Sequence, residues 1–368
     1  MKLTKIQITT TIVVLLFMLL AYYRSHLNMH SEYFAERTEP IIGKPSVVNK
    51  INLRPKLPNL AIPLRQHVTM WITKVPLTPF KSPLVVLPPF DGVVPNFLLY
   101  KPSLLSPIVN QGDCGACWAF MVCAILSDRL MIRTGGLFRK NLSFQQLLSC
   151  FNRDGCEGES PEKALIWLEQ TRKRLVLDQT QSYKQQSGGY VTSACLNKPG
   201  VVGVLPGSVK SIARFIPETG YDNRILRQNI INMKRELLER GPFYCAMTVY
   251  EDFMEYSGTH VYSRQSNEIT GGHAVEVIGY CDAGVDKRRG FEKAYWICKS
   301  SWGKNWPLES KAVGFFTIEM GKNMCGIESR AGIATPELFA RISLSSARPI
   351  STLRYENIDD YLSSGETP

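Results

Sequence analysis

The chain changes its pattern of apolar and polar positions several times along its length. From Ile6 to Tyr23 it reads IQITTTIVVLLFMLLAYY, an uncharged run just long enough to cross a bilayer, with Lys2 and Lys5 before it and Arg24 after it. The flank LLAYYRS lacks the small residues of a cleavage site. The reading is an uncleaved signal-anchor over 6–23, a short cytosolic tail over 1–5, and a catalytic or binding portion facing the lumen or exterior. Secretion after cleavage is the alternative. Residues 24–86 are rich in proline and basic side chains and show no long helical period, as a stem or propeptide would. Beyond them, Trp118 to Leu130 is an apolar helical stretch led by Cys117. Ser143 opens a second helix with Gln146 placed for a capping box, and Ala164 to Leu168 begins a third. The second half turns to β-branched and aromatic runs between turn signals: Phe243–Tyr250, His273–Tyr280, Tyr295–Cys298 and Gly314–Glu319. Helices first and strands later predict an α+β domain over 87–336, with a helical N-terminal lobe and a β-rich C-terminal lobe. Residues 337–368 read as a polar, acidic, mobile tail.

Composition narrows this picture. The 368 residues are 44% hydrophobic, enough for one sizeable core. The formal charge is +11, but Lys and Arg are scattered without a binding arm, so the expectation is a basic surface and no nucleic-acid partner. The 10 cysteines are too many for idle thiols in a reducing compartment and suit an exported domain with disulfides.

The candidate chemistry sits in NQGDCGACWAF, Asn110 to Phe120. Cys117 stands at the first turn of a helix, where the positive end of the dipole favours the thiolate. Gln111 carries an amide able to donate to an oxyanion. Of the 5 histidines, only His260 and His273 fall within the compact domain. His273 heads the run GGHAVEVIGY after two glycines, well placed to face a cleft, whereas His260 follows the Ser257-Gly258 turn and reads as an ordinary loop residue. A free thiol titrates near ~8.5, and pairing with a histidinium at a helix start can bring it to roughly 3–4. Two other readings of Cys114 and Cys117 fare worse. A redox C-x-x-C lacks its βαβ setting, and a zinc site lacks a second Cys or His pair at suitable spacing. No metal and no cofactor are expected.

At this point the sequence resembles the papain-like cysteine proteases. CGACW, Gln111, NLSFQQLLSC, GGHAVEVIGY, WICKSSWGKNW and CGIES occur in that family's order across about Leu87 to Pro336. GPFYCAMTVYEDFMEYSGTHVY, GGHAVEVIGY and CGIES look most like the cathepsin B branch. The resemblance implies a two-lobed α+β fold with the cleft between the lobes, and a thiol peptidase acting on protein or peptide substrates as a monomer. It implies Cys117 as nucleophile, His273 as its imidazolium partner, and an oxyanion held by the Cys117 amide and Gln111. It implies Trp302 as the shield over His273. It also implies disulfides Cys114–Cys156 and Cys150–Cys195. Of the remaining cysteines, Cys123 and Cys298 lie in apolar runs that suit buried thiols.

Three positions depart from the family pattern. Ser300 in Lys299-Ser300-Ser301-Trp302-Gly303 stands where the family has the asparagine that orients the histidine ring. A hydroxyl on a shorter side chain suggests a long or water-bridged contact and a slower enzyme. Glu159 in Cys156-Glu157-Gly158-Glu159 replaces a second glycine of the substrate groove, where it would crowd the cleft or select a basic group, and Gly158 is retained. Arg330, just after CGIES, replaces a glutamate at the base of a substrate pocket and would favour an acidic residue there. No histidine lies between His67 and His260, so the paired histidines of an exopeptidase loop are missing and an endopeptidase is expected. The rival reading, from another class, is a weak or inactive protease fold kept as a binding or structural module.

Overall fold

The computed structural model describes residues 83–366 apart from 153, 172–174, 185–190, 192–193, 196–202, 205–208, 217–221, 289, 308–312 and 337–347. The anchor read at 6–23, and the stem up to residue 82, lie outside the described residues. Among the described residues no helix is long and apolar enough to cross a membrane.

Strand β1 (Phe97–Tyr100) precedes three helices, α1 (Cys117–Arg133), α2 (Phe144–Phe151) and α3 (Pro161–Thr171). Two short strands, β2 (Leu175–Val176) and β3 (Gly203–Val204), pair with each other. Then follow β4 (Val209–Arg214), α4 (Asn223–Glu239), β5 (Phe243–Tyr250), β6 (Ile269–Cys281), β7 (Tyr295–Lys299), β8 (Phe315–Glu319) and β9 (Ala331–Pro336). The main sheet runs β10-β1-β6-β5-β9-β4, with β7 on β6 and β8 on β7, where β10 is Arg354–Tyr355. Its strands pair antiparallel. Gly279 permits the close approach of β1 to β6, since a Cβ there would lie 2.4 Å from the Leu98 carbonyl oxygen.

The core divides as an α+β domain of two lobes requires. One cluster gathers Trp118, Phe120, Leu126, Leu147 and Leu165 around α1; the other gathers Phe97, Phe243, Val275, Trp296 and Phe316 around the sheet. Helix α1 is buried from Cys117 through Ile132, so it is apolar on nearly every side and runs inside the molecule. Two of its three charged residues form buried ion pairs, and the third, Arg133, donates to Pro336 O. Arg129 bonds Glu236 at 2.8 Å and Asp128 meets Lys299 at 2.6 Å.

Several boundaries differ from the sequence reading, each for a local reason. Ser143 caps α2 by accepting from the Gln146 amide at 3.0 Å, but the Gln146 side chain accepts from Val176 N at 2.6 Å and does not close a capping box. Helix α3 starts at Pro161, whose fixed φ and missing N–H suit a first helical position. Asp222 caps α4 by accepting from the amides of Arg224 and Ile225. Residues 83–96 are tied to the domain: Val85 N donates to Arg214 O at 2.8 Å and Tyr280 Oη to Pro95 O at 2.8 Å. The expectation of a mobile tail fails for residues 348–366. There Tyr355 and Arg354 pair with Leu99 and Tyr100, and α5 (Ile358–Ser364) stacks Tyr361 on Phe97 at 5.9 Å. Leu353 and Ile358 are buried, so a few spaced apolar side chains dock a segment of polar composition.

Candidate active site

The turn before α1 places Cys117. The Cys114–Cys156 bridge fixes its base, and Gly115 N donates to Cys156 O at 2.8 Å. The N-cap residue Ala116 offers no side-chain cap, so the first turn presents bare amides. The backbone amides of Ala274, Trp118 and Cys117 itself lie near the Cys117 sulfur, which puts the thiol beside the residue that follows His273. Those amides favour thiolate, but burial outweighs them and pushes the thiol up to about 11.

His273 is not at the head of its strand. It lies inside β6, opposite Met247 of β5, and the two preceding glycines are themselves paired with Val249 and Thr248. The ring is 3% exposed, and burial pushes it down to about 3. Trp302 stacks on it at 4.4 Å with planes 27° apart. Ser300 Oγ lies 3.1 Å from His273 Nε2, so the long or water-bridged contact expected from the shorter side chain is replaced by a direct one. Both groups are buried, and burial favours the neutral thiol and the neutral imidazole.

Gln111 is fixed at both ends. Its Nε2 donates to Cys114 O at 2.8 Å, and its Oε1 accepts from Ser301 Oγ at 2.6 Å. Its backbone is held too, with N donating to Ser301 O at 2.9 Å and O accepting from Tyr183 Oη at 2.8 Å. The Cys114 carbonyl can only accept, so it selects the nitrogen end of the amide. Ser301 and Tyr183 escaped the sequence reading. Ser301 sits next to a singled-out residue, and Tyr183 is 72 positions from Gln111 with no motif of its own.

Lys299, the last residue of β7, sets the start of the Ser300–Ser301 loop. Its ammonium meets Asp128 of α1 and Glu276 of β6, each at 2.6 Å, and all three side chains are buried. One cation beside two carboxylates leaves a proton shared in the cluster. Burial and the Asp128 charge raise Glu276 to about 8, while Asp128 and Glu276 hold Lys299 above the usual ammonium range.

The substrate-side candidates are less gathered. Gly158 has φ +99°, in the left-handed region, and ends the short turn Gly155–Glu157. Glu159 accepts from Ser160 N at 2.9 Å and pairs with Lys163 at 3.2 Å, so its carboxylate serves the start of α3. Arg330 is half-buried and donates from Nη1 to Thr248 Oγ1 at 2.9 Å. The second bridge joins Cys150 to Cys195, and Cys123, Cys245, Cys281, Cys298 and Cys325 are buried free thiols. Among the described residues no His, Cys, Asp and Glu cluster could hold a metal ion.

Residues 98–335 match the model of the papain family cysteine proteases. The gut-specific cysteine proteinase of Caenorhabditis elegans is 32% identical over 240 residues, 60% of this chain and 66% of that protein. Cathepsin B-like cysteine proteinase 5 of the same organism is 29% identical over 336 residues, 82% of this chain and 93% of that one. Pro-cathepsin H of Bos taurus is 33% identical over 244 residues, 64% of this chain and 62% of that one. The chain thus spans just under two thirds of the first and third of these relatives and nearly all of the second. Procathepsin B S9 from Trypanosoma congolense has the same fold, with a TM-score of 0.57 at 24% identity over 74% of this chain and 88% of that one.

Proposed function

The chain belongs to the papain family of cysteine proteases, and we propose that it is a thiol endopeptidase with Cys117 as nucleophile and His273 as its proton partner. One observation carries the reading: the amide after His273 lies beside the Cys117 sulfur, while Ser300 and Trp302 contact the His273 ring. In the reaction the thiol proton moves to His273 as the sulfur attacks the peptide carbonyl, so the site keeps its net charge. The tetrahedral oxyanion accepts from the Cys117 amide and from Gln111 Nε2. His273 gives its proton to the leaving amine, then takes one from the water that hydrolyses the thioester. Arg330, held on Thr248, selects an acidic substrate side chain. The uncharged run 6–23 anchors the protein to a membrane, residues 24–86 form a stem or propeptide that keeps the protease latent, and the catalytic domain acts as a monomer in the lumen or outside the cell.

A peptide-library cleavage assay of the full chain tests this. Internal cleavage with an acidic preference is expected, lost in Cys117→Ala. Replacement of Arg330 by Glu should turn the preference toward arginine. Cleavage that survives Cys117→Ala removes the assignment of the nucleophile, and trimming from one end only removes the endopeptidase reading. The rival reading is a protease fold kept for binding; absence of any cleavage would favour it.

A further inference from the structure

One face of β5 opens where the strand leaves the cluster around α1. Tyr244 of β5 and Ala274 of β6 belong to that cluster, and the Ala274 amide lies beside the Cys117 sulfur. Ala246 is paired with Ala274 and so shares its face. From there β5 alternates: Met247 and Val249 are buried, while Ala246, Thr248 and Tyr250 are half-buried. Opposite Thr248 stands Gly272, which is exposed, and among the described residues a Cβ there would meet only Met247 O, at 3.8 Å. This face is thus an open track that starts beside the nucleophile. Two guanidinium groups stand along it. Arg330 donates from Nη1 to Thr248 Oγ1 at 2.9 Å, and the Arg264 guanidinium lies over the Tyr250 ring, 4.6 Å from its centroid. Arg264 is exposed, and its backbone N lies 3.4 Å from Met324 Sδ. Among the described residues neither guanidinium is in ion-pair contact with a carboxylate. Asp252, two residues past Tyr250, is engaged elsewhere: it accepts from Tyr262 Oη at 3.0 Å and from Gln265 N at 2.7 Å.

We propose that Arg264 is a second specificity residue of this site, and that the track selects peptides carrying two acidic side chains with one residue between them. The inner acid meets Arg330 and the outer acid meets Arg264. The spacing follows from strand geometry. Thr248 and Tyr250 are two residues apart on β5, a step of about 6.8 Å, and an extended peptide repeats its side chains on one face at the same step. A peptide laid along β5 from the nucleophile therefore presents alternate side chains to the two arginines. The open space at Gly272 lets its backbone come close to the sheet. Both cations keep donors for a carboxylate: Thr248 takes one N–H of Arg330, and the Tyr250 ring holds the Arg264 cation by its π face. This deepens the peptidase reading and rests on it, with Arg330 as the acid-selecting group there; the role of Arg264 is a separate claim.

The test is cleavage by the full chain of peptides with glutamine around the cleaved bond and glutamate placed singly or in pairs on either side of it. The inner position is the one where glutamate raises kcat/KM about tenfold, as a charged hydrogen bond does, and where Arg330→Gln removes the gain. A second glutamate two residues farther from the bond should add about two- to fivefold, as an exposed ion pair does, and one placed next to the inner acid should add nothing. The outer gain should fall as salt is raised, vanish in Arg264→Gln and return in part in Arg264→Lys. No outer gain in the wild type overturns the proposal without any variant having to fold, and an outer gain that survives Arg264→Gln overturns it as well. Either result leaves the peptidase and the reading of Arg330 in place. Binding of the same peptides to Cys117→Ala, followed by fluorescence anisotropy, separates the two levels. Binding that needs both acids and is weakened by Arg264→Gln, in a protein whose wild type cleaves nothing, keeps the track and removes the peptidase reading.

Discussion

Two neighbouring serines in the loop after β7 show how far the meaning of a hydroxyl depends on what faces it. Ser301 donates to Gln111 Oε1 at 2.6 Å, while the other end of that amide is held by the Cys114 carbonyl. Ser300 faces an imidazole nitrogen at 3.1 Å that can itself donate or accept. The first contact has one sensible hydrogen arrangement and the second has two. Ser301 therefore fixes which way its partner's amide lies, and Ser300 holds one nitrogen of the His273 ring without selecting its role. Both start from Lys299, whose buried ammonium joins the helix of Cys117 to the strand of His273.

The sharpest way to break this comparison is at its rigid member. Gln111→Ala should lower kcat by about 100- to 1,000-fold, as loss of one oxyanion donor does elsewhere. A change of a few-fold would show that Gln111 does not touch the oxyanion. Ser301→Ala should cost less, about tenfold in kcat with KM little changed, because the Gln111 carbonyl oxygen loses its buried donor and the amide can turn. If Ser301→Ala leaves kcat untouched, the amide is held without it and the contrast between the serines fails.

Their common anchor gives a stability signature. Glu276 is raised from 4.5 to about 8, so its contribution is present below pH 4.5 and is lost as pH rises toward 8. His273 works in the opposite sense. Its imidazole is lowered from 6.5 to about 3, so stability rises with pH across that range. The two overlap between 4.5 and 6.5, which leaves 6.5 to 8 as a window clear of His273. There the wild type should lose on the order of 2 kcal/mol, and Glu276→Gln should lose much less. Denaturant midpoints across that window would show it, and equal slopes for the two proteins would contradict it. The smallest effect on catalysis is expected away from both serines. Ser143→Ala removes the cap of α2 and should lower stability by about 1 kcal/mol, with kcat/KM unchanged for the folded fraction.

The parts of the site legible in the sequence are those where chemistry and local pattern coincide. Cys117 leads an apolar helix, and His273 lies in a long β-branched run. The α+β division into lobes follows from the same periodicities. Strands β1, β4, β9 and β10 gave weaker signals, because each is short and is defined by its partners more than by its own alternation. Residues 348–366 looked mobile because Leu353, Ile358 and Tyr361 are diluted among polar residues. Three features needed coordinates. Burial of Cys117 opposes the thiolate preference suggested by the helix start. Glu159 pairs with Lys163 at the start of α3. Ser301 and Tyr183 act only through Gln111, so no local pattern marks them.

The account stands or falls on Cys117 as the reacting group. The described structure has six free cysteines, all buried, which makes the choice among them informative. The direct measurement is mass spectrometry of the full chain after treatment with a thiol-directed peptidyl inhibitor, with peptide cleavage followed in parallel. One label per chain, on Cys117, with activity lost in step is the result expected. Cleavage that persists once Cys117 is fully labelled, or activity lost through another cysteine while Cys117 stays unmodified, would contradict it.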